Sequence, residues 1–189
     1  MNARGFTLTE LLIAMLISAL LLPGVSRFLP LLTASNLRQL MALQLWDEMQ
    51  LLAFTLEKVI RRAGYCHGTC RGKGLKIPSE GCLLIRWDGK SNGRWAGPAS
   101  GESDYYGYRL RAGNLEAQRG VENCQGSGWE KLNDPSTIKV STFSLVQNGN
   151  DIIITLEGQA QRWPELRQHL VRKVTRENRD VTSTRRQPA

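Results

Sequence analysis

Apolar side chains are concentrated in one uninterrupted stretch near the start of the chain. The sixteen residues from Leu11 to Ser26 carry no formal charge, and most of them are Leu, Ile, Met or Ala. Further apolar positions follow at helical spacing: Leu37, Leu40, Leu43, Trp46, Met49, Leu52, Leu56, Val59 and Ile60. This periodicity predicts one long helix, and it predicts that the later apolar stripe packs against a following sheet.

The predicted helix contains two prolines and has a clear end. Pro23 and Pro30 lack a backbone N–H, so we expect each of them to kink or locally melt the helix. Arg61 and Arg62 place two cations in the last turn, where they oppose the negative end of the helix dipole. Gly64 then provides the flexible C-cap, and the helix is predicted to end there.

The chain after Gly64 has the pattern of short β-strands. Apolar and β-branched runs alternate with turn residues, and Asn148-Gly149 is a hairpin signal. The predicted strands are residues 83–87, 105–110, 115–118, 138–146 and 152–157. The alternation in residues 169–179 also fits an edge strand. The sequence therefore predicts an α+β fold, with a long N-terminal helix packed on an antiparallel sheet.

Length and charge narrow the class of protein. The 189 residues leave room for one ordinary domain and one appendage. The net charge is +8, and residues 165–189 contribute +4 of it, because seven Arg or Lys stand there against three acidic residues. No aromatic residue lies among those cations, whereas single-strand nucleic-acid sites combine cations with stacking rings. We interpret the segment as a solvated basic tail and expect no nucleic-acid partner.

Recognisable catalytic motifs are missing from the sequence. The chain has two histidines, His67 and His169, and no G-x-S-x-G, P-loop or H-E-x-x-H motif. The acidic pair Glu102 and Asp104 is interpreted as loop charges. We therefore expect a protein that is not an enzyme and has no cofactor.

The N-terminus does not match an ordinary targeting segment. An ordinary signal peptide fits poorly, because no A-x-A cleavage pattern follows the apolar stretch. A signal-anchor explains Arg4, which would keep the N-terminal end in the cytoplasm. It does not explain Glu10, because a carboxylate costs about 3 kcal/mol at the centre of a bilayer and therefore calls for a partner.

The same residues resemble the N-terminus of the type IV prepilin family, which includes the pseudopilins of type II secretion. The resemblance covers the basic leader from Met1 to Arg4, the segment Gly5-Phe6-Thr7-Leu8-Thr9-Glu10-Leu11-Leu12 and the apolar helix after it. It implies that a prepilin peptidase cuts between Gly5 and Phe6 and methylates the new N-terminal Phe6. It also implies that Glu10 is an assembly residue. In a bundle that excludes water, its carboxylate can neutralise the N-terminal amine of a neighbouring subunit and so set the register.

The resemblance also suggests how the chain is divided. The expected parts are a leader at 1–5, a transmembrane and assembly helix at 6–28, its continuation into the head at 29–64, an exported β-rich head at 65–179 and a basic tail at 180–189. The segment Glu57-Lys58-Val59-Ile60-Arg61-Arg62-Ala63-Gly64-Tyr65 resembles the helix end of the larger, J- or W-type minor subunits.

These features suggest a minor pilin or pseudopilin that helps to initiate or cap a type IV pilus or a type II secretion pseudopilus. The expected partners are the prepilin peptidase, other pilin-like subunits and the bacterial inner membrane, with the N-terminus cytoplasmic and the head periplasmic. A DNA- or surface-binding subunit at the pilus tip is the alternative.

Four cysteines lie beyond the apolar stretch, on the side expected to be exported, where disulfides are permitted. Of the three possible pairings we favour Cys66 with Cys70 and Cys82 with Cys124, because the short loop is sterically easy. Cys66, His67 and Cys70 also suggest a zinc site. The missing C-x2-C spacing and an oxidising compartment favour disulfides, so we expect no metal site.

Overall fold

A computed structural model describes residues 7–178 and residue 180 of the chain. In these residues one helix precedes eight β-strands, which confirms the predicted α+β fold. The elements are α1 Leu8–Arg62, β1 Leu75–Ser79, β2 Cys82–Arg86, β3 Tyr105–Arg111, β4 Asn114–Arg119, β5 Glu130–Lys131, β6 Ile138–Asn148, β7 Asp151–Ala160 and β8 Arg167–Thr175.

The strands form two antiparallel sheets. The first has the order β1-β2-β3-β4-β5, and the second has the order β6-β7-β8. The predicted antiparallel arrangement is confirmed, and the strands are divided into two sheets because β6 does not continue the first ladder. Near its start, Val140 donates its backbone N–H to the carbonyl of Gly113 in the β3–β4 turn at 2.9 Å.

Both long hairpins turn on residues with positive φ. Asn148 pairs with Asp151, so Gly149 and Asn150 form the β6–β7 turn, and the φ of 60° at Gly149 suits a type II′ turn. The hairpin predicted from Asn148-Gly149 is confirmed. The β3–β4 turn has positive φ at both central residues, Ala112 and Gly113. This turn was not predicted, because alanine is an unusual residue at a position with positive φ.

The core lies between the later part of α1 and the two sheets. Its helical residues recur on one helix face at intervals of three or four, and two of the intervals are filled by adjacent pairs: Leu45, Met49, Leu52, Ala53, Leu56, Val59 and Ile60. Met49 is completely buried and packs against Gly158 of β7. A Cβ on Gly158 would lie 2.6 Å from the Met49 sulfur, so the close contact between helix and strand requires a glycine.

The predicted core stripe is wrong at its N-terminal end. Leu37, Leu40, Leu43 and Trp46 are 48–61% exposed, whereas burial begins at Leu45. Apolar periodicity identifies which residues share a helix face, but it does not show which face another element covers. The stripe therefore combined exposed and buried positions.

The helix continues through both prolines and ends where predicted. Helix α1 is continuous from Leu8 to Arg62 and contains both Pro23 and Pro30. The predicted local melting is therefore wrong. Each proline removes one backbone donor, and the neighbouring turns keep their own hydrogen bonds. Gly64 has a φ of 85°, which confirms it as the C-cap, and its N–H donates to the carbonyl of Arg86 at 2.8 Å.

The basic C-terminal segment is partly structured. Strand β8 confirms the predicted edge strand, and its Leu170 and Val174 are buried. The interpretation of residues 165–189 as a solvated tail is therefore wrong for this strand. Arg176, just beyond it, is also buried and pairs with Asp180 at 2.8 Å. The remaining tail residues, 181–189, lie outside the described residues.

Candidate assembly site

The first turn of α1 is organised by a reciprocal pair of hydrogen bonds. The Thr7 hydroxyl accepts the backbone N–H of Glu10 at 3.3 Å, and the Glu10 carboxylate accepts the backbone N–H of Thr7 at 3.0 Å. The Thr7 hydroxyl also donates to the same carboxylate at 3.0 Å. This is a capping box, in which two otherwise unsatisfied backbone donors find partners. Its T-x-x-E signal is present in the sequence, where Glu10 was interpreted only as an intersubunit residue.

The apolar part of α1 that follows Glu10 is exposed. Leu12, Leu16 and Leu20, for example, are 58%, 65% and 72% exposed. In the part of the chain that the structure describes, α1 is the one helix long and apolar enough to cross a membrane, and its most apolar window has no buried residue. The two residues predicted to flank the cleavage site, Gly5 and Phe6, lie outside the described residues.

Two disulfides connect the four cysteines in the pairing that the sequence analysis favoured. Cys66 is bonded to Cys70 and closes a short loop directly after α1. Cys82 is bonded to Cys124 and joins β2 to the loop that follows β4. The two disulfides close loops of different length, because the bonded cysteines are 4 and 42 residues apart in sequence.

The residues considered for zinc are engaged in other bonds. The sulfurs of Cys66 and Cys70 lie within 4.8 Å of each other and of the Asp88 carboxylate. The two sulfurs are bonded to each other, so they are not thiolates available to a metal. His67 takes part through its backbone N–H, which donates to Asp88 at 3.2 Å.

Asp88 links the loop of the first disulfide to the loop after β2. Its carboxylate is buried and accepts backbone N–H groups from Gly93 at 2.8 Å, from Asn92 at 3.0 Å and from His67 at 3.2 Å. Burial acts to raise the pKa of Asp88, but these donors outweigh it and hold the pKa below its ordinary value. The ionised carboxylate therefore stabilises both loops.

The two acidic residues before β3, Glu102 and Asp104, differ in their burial and in their hydrogen-bond partners. Glu102 is exposed and pairs with Lys90, as expected of a loop charge. Asp104 is buried and accepts the backbone N–H of Ala96 at 2.9 Å and of Gly89 at 3.1 Å. Asp104 also lies in the loop before β3, as interpreted, but it is buried because the β2–β3 loop folds back over it.

A buried ion pair holds the loop that carries Cys124. Arg109 of β3 pairs with Glu116 of β4 at 2.7 Å and donates to the carbonyls of Cys124 at 2.9 Å and Gly126 at 3.1 Å. Its guanidinium carbon also lies 4.2 Å from the ring centre of Trp129. This pair was not predicted, although Arg109 and Glu116 fall opposite each other once the β3–β4 turn is placed at 112–113.

Comparisons with known proteins agree with the N-terminal pattern and extend it to the head. The family model of the prokaryotic N-terminal methylation motif matches residues 1–22. The model of prepilin peptidase-dependent protein B matches residues 38–176, which is most of the chain. The chain belongs to the prepilin peptidase-dependent protein B family. The resemblance to type IV prepilins is thereby confirmed.

A curated relative supports the same assignment. The chain is 46% identical over 145 residues to the prepilin peptidase-dependent protein B of Escherichia coli (strain K12). The alignment covers 76% of this chain and 78% of that protein. No solved structure matches the chain.

Family and geometry together define a prepilin peptidase-dependent, pilin-like protein with an N-methylation motif. Its family is structural, and its apolar N-terminal helix fits anchoring in a membrane. The candidate site is therefore the start of α1: the motif around Gly5 and Phe6, the capping box of Thr7 and Glu10, and the exposed apolar face behind it.

Proposed function

We propose that this chain is a minor pilin-like subunit that co-assembles with other pilin-like chains through its N-terminal helix. In this role it helps to initiate or cap a type IV pilus or a type II secretion pseudopilus, and it acts as a structural subunit without catalysis. The observation that carries the proposal is the exposed apolar stretch of α1 from Leu11 to Ser26, which carries no formal charge and directly follows Glu10, just behind the expected cleavage site.

The proposal assigns one role to each part of the chain. Residues 1–5 are the leader that prepilin peptidase removes, and 6–28 are the part of the helix that spans the inner membrane and enters the filament. Residues 29–64 continue the helix into the head, 65–179 form the periplasmic head, and 180–189 are its basic tail. Arg4 keeps the N-terminus cytoplasmic, since basic residues resist translocation.

Glu10 acts in this proposal as the counter-charge of a neighbouring subunit. Cleavage creates an ammonium group on Phe6, and methylation leaves that charge in place. In a water-free bundle of helices an unpaired ammonium is costly, and a carboxylate on the next subunit neutralises it. The pair forms at one axial offset, so it sets the stagger between subunits.

Processing of the N-terminus provides the first test. Co-expression with a prepilin peptidase is expected to convert the chain into one that begins with N-methylated Phe6, as measured by intact mass. A Gly5→Leu variant serves as the control, because a large side chain hinders access of the peptide bond to the peptidase. A chain that keeps residues 1–5 in cells that process another prepilin would contradict the proposal.

Substitutions of Glu10 test the assembly role and separate charge from capping. Glu10→Gln keeps a side chain that can complete the capping box but removes the charge, whereas Glu10→Ala removes both. Both variants are expected to insert and be cleaved, and to reduce crosslinking to other pilin-like subunits by about tenfold or more, because an unpaired buried charge costs several kcal/mol. Glu10→Asp should be intermediate, since it keeps the charge but shortens its reach.

Thr7→Ala is the matched control for this series, because it weakens the cap and leaves the carboxylate in place. It is expected to crosslink nearly as well as the unmodified chain. Normal crosslinking and filament counts for Glu10→Gln would show that Glu10 acts only as a cap and would refute the assembly role.

A further inference from the structure

A groove lies in the head between the outer edges of β1 and β6. Its volume is about 870 Å³. The apolar part of its lining comes from Leu75, Ile77 and Pro78 on one side and Leu145 on the other. This groove is separate from the helix surface to which the proposed function refers.

The second half of β6 presents free backbone groups to this groove. Asn148 and Asp151 close a two-residue hairpin, so their backbones form a hydrogen-bonded pair. Going back along β6, residues that bond to β7 alternate with residues that do not. The N–H and C=O groups of Leu145 and Gln147 therefore face away from β7. Phe143, two residues earlier, follows the same alternation. Its carbonyl oxygen points away from β7 and lies 3.7 Å from where a Cβ on Gly81, in the β1–β2 turn, would be.

From Thr142 onward, the free edge of β6 lacks the features that usually protect an edge strand. Lys139 and the irregular register between Val140 and Thr142 lie earlier in the strand. Protected edges carry a lysine, a proline or a bulge. On the facing strand, β1 has Pro78 and an irregular register between Lys76 and Ser79. From Thr142 to Asn148, β6 is regular, and no other described backbone group bonds to the outward groups of its Leu145 or Gln147. This part of β6 is a template for another strand.

The positive charge on the β1 side of the groove favours an acidic partner. Lys73 and Lys76 are exposed at the groove, and neither forms an ion pair with a described residue. The acidic group at the groove, Asp180, already accepts hydrogen bonds from Arg176 and from the backbone of Gly74, both at 2.8 Å. Lys73 also attracts the Asp180 carboxylate from beyond ion-pair distance, whereas Lys76 has no such neighbour among the described residues. The charge of Lys76 and part of that of Lys73 are therefore available to a ligand.

We propose that the β6 edge binds an extended, acidic segment of another polypeptide, which adds to the second sheet as a strand along Leu145 and Gln147. Its backbone pairs with these two residues, and its acidic side chains contact Lys73 and Lys76. The chain's own residues 181–189 are a poor match for the same charge, because they contain Arg185 and Arg186 and no acidic residue. A second copy would bring its own lysines into the groove.

Binding of a labelled peptide to the full chain in detergent micelles tests this proposal. The probe is a fluorescent seven-residue peptide of alternating valine and glutamate, and its affinity is measured by polarisation. Gln147→Pro removes one outward N–H without removing a bond to β7, and it should weaken binding about tenfold. Gln147→Ala, the matched control, keeps the N–H and should bind normally.

Charge and backbone pairing are tested separately. Joint replacement by Lys73→Glu and Lys76→Glu should abolish binding of the acidic peptide and allow binding of a peptide with lysine in place of glutamate. A probe peptide with N-methyl groups on the backbone amides of one edge cannot donate hydrogen bonds from that edge. It should bind the unmodified protein at least about tenfold more weakly than the unmethylated probe. This comparison leaves the protein unchanged, so it remains decisive if a variant fails to fold.

Several results would overturn the proposal. They are an absence of saturable binding, equal affinity of the N-methylated probe, and equal affinity of a folded Gln147→Pro variant. A large gain in affinity on deletion of 181–189 would assign the groove to the chain's own tail. Dimerisation that is lost in Gln147→Pro would assign it to a second copy. None of these results depends on Glu10, so they leave the proposed assembly role unaffected.

Discussion

At the residue scale, the head relies on buried carboxylates that have backbone partners. Asp88 and Asp104 are each at most 2% exposed, and each accepts backbone N–H groups from loops between β2 and β3. A buried carboxylate is stable only if its lone pairs are satisfied, and backbone donors meet that need without a basic side chain. These two residues therefore give order to loops that have little apolar content.

The lowered pKa of Asp88 predicts how stability depends on pH. Because the folded state holds the pKa below its unfolded value, the carboxylate contributes stability above the unfolded pKa and loses it as the pH falls through the folded one. Asp88→Asn is expected to lower the free energy of unfolding by about 1–3 kcal/mol at neutral pH. It should also flatten the loss of stability that sets in as the pH falls below about 4.

Denaturant unfolding at a series of pH values measures this effect. Glu80→Gln is the control, because Glu80 is an exposed carboxylate in the β1–β2 turn. An Asp88→Asn curve that runs parallel to that of the unmodified protein over the whole acid range would contradict the assigned role.

At the element scale, α1 has one apolar surface that is buried and another that is exposed. One surface, which includes Met49 and Leu56, is completely buried against the sheets. Other side chains on the same part of the helix, Leu51 and Phe54, remain 62% exposed. An apolar face that the head leaves uncovered is typical of a surface that packs in an assembly.

The two disulfides are predicted to differ in how much they stabilise the head. Loop-closure entropy gives about 4 kcal/mol for the bridge between Cys82 and Cys124, which are 42 residues apart, and about 2 kcal/mol for Cys66 and Cys70, which are 4 apart. Paired alanine substitutions should therefore lower the free energy of unfolding about twice as much for the longer bridge.

Chemical unfolding of the two double-alanine variants measures this difference. Thiol labelling of the unreduced, denatured protein should show no reactive cysteine in the unmodified chain or in either variant, because the remaining pair is still bonded. Equal destabilisation, or four labelled thiols in periplasmic protein, would refute the prediction.

At the scale of the whole molecule, segments far apart in sequence meet at one junction of the head. A Cβ on Gly74 would lie 2.2 Å from the Cα of Gly64, so the start of β1 and the end of α1 pack backbone to backbone. Asp180, from the C-terminal segment, accepts the N–H of Gly74 and pairs with the buried Arg176. Cations that the composition suggested were solvated are thus partly used to close the fold.

The sequence alone was sufficient for features that depend on local chemistry. The N-terminal motif around Gly5 and Phe6 indicated the family, because such a motif is a contiguous string of residues. The long helix with its Gly64 cap and the hairpin at Asn148-Gly149 followed from backbone preferences of single residues and from short periodicities. The strand after residue 167 was also visible as alternation.

Only the tertiary structure decided features that depend on contacts between distant segments. It showed that Trp46 is exposed while Leu45 is buried, that Asp104 lies inside loops, and that the strands divide into two sheets. Each of these outcomes is set by which element covers a given face and by the register between strands. A free edge at Leu145 and Gln147 likewise exists only after β6 has paired with β7 and left its other side open.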